Sequence, residues 1–104
     1  MKAFEHLIQA SLRQGFSISV FSGGPGVDLS RSTNFRDIVE ACEAVDEASL
    51  RIRDQDGKLL ANVLVIPGLA SDETIADWSA TSKAATDWLD MLYGNYNDYL
   101  EETL

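Results

Sequence analysis

Chemistry in a protein is most often carried by histidine, cysteine, paired carboxylates or a glycine-rich cradle for anions. This sequence holds one histidine, His6, and one cysteine, Cys42. A single cysteine excludes an internal disulfide, and one residue of each kind excludes a zinc site built from those two ligands. His6 borders an apolar stripe, Leu7 and Ile8, with no serine or cysteine spaced to complete a nucleophile and base. Cys42 occupies an apolar helical position beside Glu40 and Glu43, whose charge raises a thiol pKa, so it reads as a small buried hydrophobe. The expectation is no catalytic residue, no metal and no cofactor.

Three other groupings carry partial signals. Gly23-Gly24-Pro25-Gly26 follows an apolar alternating run, where phosphate-binding loops sit, but Pro25 removes a donor and no Lys-Ser/Thr or second glycine spacing follows. Asp54-Gln55-Asp56-Gly57 has the look of a calcium loop, yet its first and closing ligand positions would be Ile52 and Val63, so a hairpin turn is expected. Asp72, Glu73 and Asp77, or Asp87 and Asp90, have no supporting motif for magnesium or acid–base work and read as solvent-facing acids. Arg51 and Arg53 point from one strand face and suit a carboxylate or phosphate, with cross-strand pairing to acidic neighbours as the expected use.

Charge is the stronger signal. Seventeen acidic residues against eight Lys and Arg give a net charge of −9, which repels phosphate backbones and anionic lipid, so neither nucleic-acid nor membrane binding is expected. Met1 to Ala70 holds nine acidic and seven basic residues, whereas Ser71 to Leu104 holds eight acidic residues against Lys83 alone. In that last third Trp88, Tyr93, Tyr96 and Tyr99 interleave with acids, and one helix face cannot bury them all. The candidate binding face is Asp87, Asp90, Tyr93, Asp98, Glu101 and Glu102, suited to a partner protein that is basic at the contact. Two alternatives stay open: carboxylates that mimic DNA phosphates, and an anion- or nucleotide-binding domain using Gly23 to Gly26.

The elements that would position these residues are read from periodicity. The chain has 104 residues, 45% hydrophobic and 24% charged, as one globular domain requires. No apolar run approaches a membrane span, and the N-terminal segment lacks the apolar stretch of a signal peptide, so a cytoplasmic location is expected. Ala3 to Gln14 places Phe4, Leu7, Ile8 and Ser11/Leu12 on one helical stripe, with Gly15 as a C-cap. Phe16 to Phe21 alternates as a strand, and Ser22 to Ser32 reads as a long loop. Ser32, Thr33 or Asn34 caps a helix whose core face is Phe35, Ile38, Val39, Cys42 and Val45.

Ala48 to Arg53 alternates, a turn follows, and Lys58 to Ile66 is apolar on both faces apart from Asn62. That pattern predicts a hairpin whose second strand is covered on both faces or lies deep in the sheet. Thr74 to Trp78 is read as a strand, with a helical start capped by Ser71 as the alternative. From Thr81 a helical stripe of Ala85, Trp88, Leu89, Leu92, Tyr96, Tyr99 and Leu100 closes the core, with Gly94-Asn95 as a break or cap near its middle. The order α-β-α-β-β-(β)-α predicts an α+β domain over residues 1–104, with a mainly antiparallel sheet of three or four strands and helices packed against it.

Val45-Asp-Glu-Ala-Ser-Leu-Arg-Ile-Arg-Asp54, the following Asp-Gly, Val63-Leu-Val-Ile-Pro-Gly68 and Thr74-Ile-Ala-Asp-Trp78 fall within Glu43 to Trp78. This third of the chain resembles segments of small proteins from bacteriophage and prophage genomes. The resemblance brings no catalytic residues; it implies a non-enzymatic accessory factor acting on host machinery.

Overall fold

A computed structural model describes the backbone of residues 1–23 and 28–103, with side chains described as far as Leu92 outside the 24–27 segment. The element order is α1 (Ala3–Arg13), β1 (Ser17–Phe21), β2 (Leu29–Ser32), α2 (Phe35–Glu43), β3 (Ala48–Arg53), β4 (Leu59–Val65), a 3-10 turn (Ser71–Glu73), β5 (Ile75–Ala80) and α3 (Lys83–Thr103). The five strands form one sheet in the order β2-β1-β3-β4-β5, and every pairing is antiparallel. The class is α+β, with five strands where the sequence predicts three or four.

The additional strand is β2, inside the segment expected to be loop. Only four residues long, with Leu29 its single apolar side chain, it carries too little alternation to be visible in sequence. It lies at the sheet edge, where strands are short and polar. Ile18 pairs with Ser32 and Val20 with Leu29, so three steps on β2 oppose two on β1. The extra residue makes a bulge, and within it Arg31 adopts φ +44°.

One face of the sheet builds the core. Ile18, Val20, Leu50, Ile52, Ala61, Val63 and Val65 are buried in one cluster with Phe4, Leu7 and Ile8 of α1, Ile38, Val39 and Cys42 of α2, and Leu89 and Leu92 of α3. Among the described residues no helix covers the opposite face. At the outer positions of β4 Leu64 is only half-buried, so of the two alternatives, cover on both faces or a place deep in the sheet beneath helices, β4 takes the second, between β3 and β5. Apolar residues at those positions suit a strand flanked by β3 and β5, but they do not report a second layer.

The local signals otherwise correspond to the elements. Asn34 is the cap of α2, its side chain accepting the Asp37 N–H at 3.0 Å. Gly15 follows α1 at φ +83°, the left-handed conformation that glycine adopts without strain. Asp54 closes the β3–β4 turn by accepting the N–H groups of Asp56 and Lys58, and Gly57 completes it at φ +84°. The segment expected as a strand from Thr74 to Trp78 is a strand over Ile75–Ala80, preceded by a 3-10 turn over Ser71–Glu73. Helix α3 runs through Gly94 and Asn95 without a break, since neither has a backbone conformation that ends a helix.

Candidate functional site

Helix α3 is capped by Ser82, whose hydroxyl accepts the Ala85 N–H at 3.2 Å. That start sets the phase of the whole helix. Ala85, Leu89 and Leu92 are buried, whereas Asp87, Asp90 and Met91 are exposed, Met91 to 52%. Trp88 is half-buried, edge-on to Phe16 with ring centroids 5.4 Å apart and an interplanar angle of 78°. Lys83 Nζ lies 2.9 Å from Asp87 Oδ2, an exposed pair one turn apart, of a kind that contributes little to stability. Of the candidate binding residues, Asp87 and Asp90 thus share one exposed side of α3. The side chains of Tyr93, Asp98, Glu101 and Glu102 lie outside the described residues.

The two residues with chemical potential sit apart from this face. His6 lines a small apolar cavity of about 20 Å³ with Ala3, Leu7, Val63, Ile75, Trp78, Leu89 and Leu92. Its lining offers no hydroxyl or thiol. Burial, with the Arg13 charge as a smaller contribution, lowers the His6 pKa and favours the neutral ring. Cys42 is fully buried in α2, and burial followed by the Glu43 charge pushes its thiol up to about 12, so it is not a thiolate at neutral pH. Among the described residues no group of three His, Cys, Asp or Glu side chains is arranged to hold a metal ion. Gly24, Pro25 and Gly26 of the expected anion loop lie outside the described residues.

The helix-free sheet face holds a feature the sequence only half disclosed. Arg51 stands opposite Ser19 of β1 and Asn62 of β4, and Arg53 opposite Ser17 and Leu59. The expected cross-strand acids are therefore replaced by small polar or apolar residues. Arg51 instead stacks its guanidinium over the Phe21 ring at 4.2 Å, and Arg53 Nη1 donates to the Gly57 carbonyl at 3.1 Å. Arg31 joins them from β2. Its N–H donates to Ser19 Oγ at 2.9 Å, and its Nη1 lies 3.6 Å from where a Cβ on Gly57 would stand. Two guanidinium groups thus meet at Gly57. Sequence alone does not single out Arg31, because the bulge that aims it depends on pairing β2 with β1; its only local trace is one apolar residue in Leu29-Ser-Arg-Ser32.

In comparisons with known proteins, no family model, curated protein or solved structure matches this chain. Among the described residues no helix is long and apolar enough to cross a membrane.

Proposed function

We propose that this chain is a non-catalytic acidic binding protein that engages a partner protein, basic at the contact, through α3. The observation that carries the reading is the division of that helix. Its inner positions are spent on the core, while Asp87, Asp90 and Met91 are presented outward together. An exposed methionine beside carboxylates offers an adaptable apolar contact within an acidic surround. The charge of Ser71 to Leu104, eight acids against Lys83, strengthens the field on the same part of the chain. The buried, protonated Cys42 thiol and a His6 cavity without a nucleophile support a role in binding rather than catalysis. The phage-like segment Glu43 to Trp78 supports an accessory factor acting on a host protein, in the cytoplasm.

Capture from lysate followed by charge reversal tests this. Asp87→Lys with Asp90→Lys, and Glu101→Lys with Glu102→Lys, are expected to weaken the captured basic partner about tenfold and to slow its association most at low salt. Equal binding by parent and reversed chains at low and high salt overturns the reading.

A further inference from the structure

We propose that the helix-free face of the sheet is a second binding surface, and that it takes an extended acidic segment of a partner protein with carboxylates at alternate positions. The inference stands independently of the α3 reading, because it uses the opposite side of the sheet.

Arginine in a chain with seventeen acidic residues should find carboxylates readily, yet among the described residues none lies within ion-pairing distance of Arg31, Arg51 or Arg53. Two acids of this region already accept backbone N–H groups. Asp54 Oδ1 accepts two backbone N–H groups of its own turn, and Asp77 Oδ1 accepts the Trp78 N–H. Two of the arginines are held by their guanidinium groups and the third by its backbone. Arg51 rests on Phe21, Arg53 is tied to the Gly57 carbonyl, and Arg31 issues from a bulge with a left-handed backbone fixed by Ser19. From β2, the Arg31 side chain crosses β1 to reach Gly57 in the turn after β3. Ser17 and Ser19, the small β1 residues on that face, leave it room. The guanidinium groups of Arg51 and Arg53, fixed this way, keep most of their donors for a ligand and lose little entropy on binding it.

Geometry selects the ligand. Arg51 and Arg53 are two residues apart on one strand, about 7 Å, the spacing of alternate side chains in any extended chain. Two residues before Arg51, Ser49 borders a shallow depression shared with Asn62, Leu64, Asp77 and Ser79. A segment running along β3 therefore places an apolar side chain over Leu64 and successive alternate carboxylates on Arg51 and on the Arg53–Arg31 pair. A nucleic-acid backbone carries its charge well beyond these three side chains. It would cross exposed Asp77 on the same face of a chain with net charge −9.

The test is an NMR titration of the full chain with the peptide Leu-Ser-Glu-Ser-Glu and with its rearrangement Glu-Glu-Ser-Ser-Leu, at low and high salt. The first is expected to shift the amides of Phe21, Ser49, Arg51 and Arg53 and the arginine Nε–H signals, and to bind several-fold more tightly than the second. Arg51→Gln, Arg53→Gln and Arg31→Gln should each weaken it about tenfold, with each variant's own spectrum reporting its fold. Arg36→Gln on α2 and the α3 reversals should not. Absence of shifts on this face overturns the proposal, as does equal binding of both peptides or indifference to the arginine variants. So does tighter binding of a single-stranded oligonucleotide, or concentration-dependent occupation of the face by a second copy of the chain.

Discussion

Thr74, fully buried between the 3-10 turn and β5, accepts the Phe4 backbone N–H through its Oγ1 at 3.1 Å and so caps helix α1 from seventy residues away. Lys2, the residue at the local cap position, has no oxygen to offer, and only Glu5 reaches back to the Lys2 N–H. The same Thr74 hydroxyl donates to the Ser71 carbonyl at 3.2 Å, which ties the 3-10 turn to the helix start. Thr74→Val keeps the shape but leaves a buried donor and a carbonyl unpaired, and should cost about 1–3 kcal/mol in urea unfolding. Thr74→Ser should recover most of that loss. A Thr74→Val variant as stable as the parent would show that the hydroxyl does not carry the cap, whereas a larger loss in Thr74→Ser than in Thr74→Val would assign the effect to packing of the methyl group.

The cap also marks where sequence reading stops. The α1 stripe, the Asn34 cap, the Asp54–Gly57 turn and the alternation of β3 were legible because each is local: its cause lies within four residues of its effect. Thr74 on Phe4 and Arg31 at Gly57 are set by pairing between distant parts of the chain, and β2 against β1 by a pairing that its own four residues do not signal. β4 left two readings open for a related reason. Its two-sided apolar pattern reports membership of a sheet interior, and only the placement of the helices decides that the outer face stays open. Of the candidate site, the exposed phase of Asp87 and Asp90 was legible from the buried stripe beside them.

Gly15 combines two constraints that substitution separates. At φ +83° any Cβ is strained, and that Cβ would also stand 2.6 Å from Gln55 Nε2, which donates to the Gln14 carbonyl. The Gln55 side chain can move aside, so backbone strain should dominate. Gly15→Ala is expected to destabilise by about 1–2 kcal/mol, and by nearly as much in a Gln55→Ala background. If the Gln55→Ala background abolishes the cost, the close approach rather than the backbone is the cause.

Cys42 gives a pH dependence with a definite sign. Its pKa rises from 9.0 to about 12 on folding, so between those values the unfolded chain loses a proton that the folded chain keeps. Stability from this group is complete below pH 9 and declines as pH rises towards 12, by at most about 1.4 kcal/mol per unit. Cys42→Ala removes the dependence and costs about 1–2 kcal/mol at pH 7 by leaving a cavity. The gap between parent and variant, followed by urea unfolding from pH 7 to 10.5, should therefore narrow. A constant gap would show that the thiol ionises alike in both states.

Phe16 and Trp88 link the stability of α3 to the binding proposed for it. Their edge-on contact joins the segment leading into β1 to the first half of α3, next to exposed Asp87. A double-mutant cycle with Phe16→Leu and Trp88→Leu should give a coupling of about 0.5–1.5 kcal/mol, the size of an isolated aromatic pair. Loosening that contact should raise amide hydrogen exchange along α3 before it affects β3, because β3 is paired on both sides and Leu50 and Ile52 are fully buried. Binding of a basic partner should then weaken in Trp88→Leu although Asp87 and Asp90 are intact, since the partner must order the helix that presents them. Unchanged exchange in α3 alongside lost binding would make Trp88 itself a contact residue rather than an anchor.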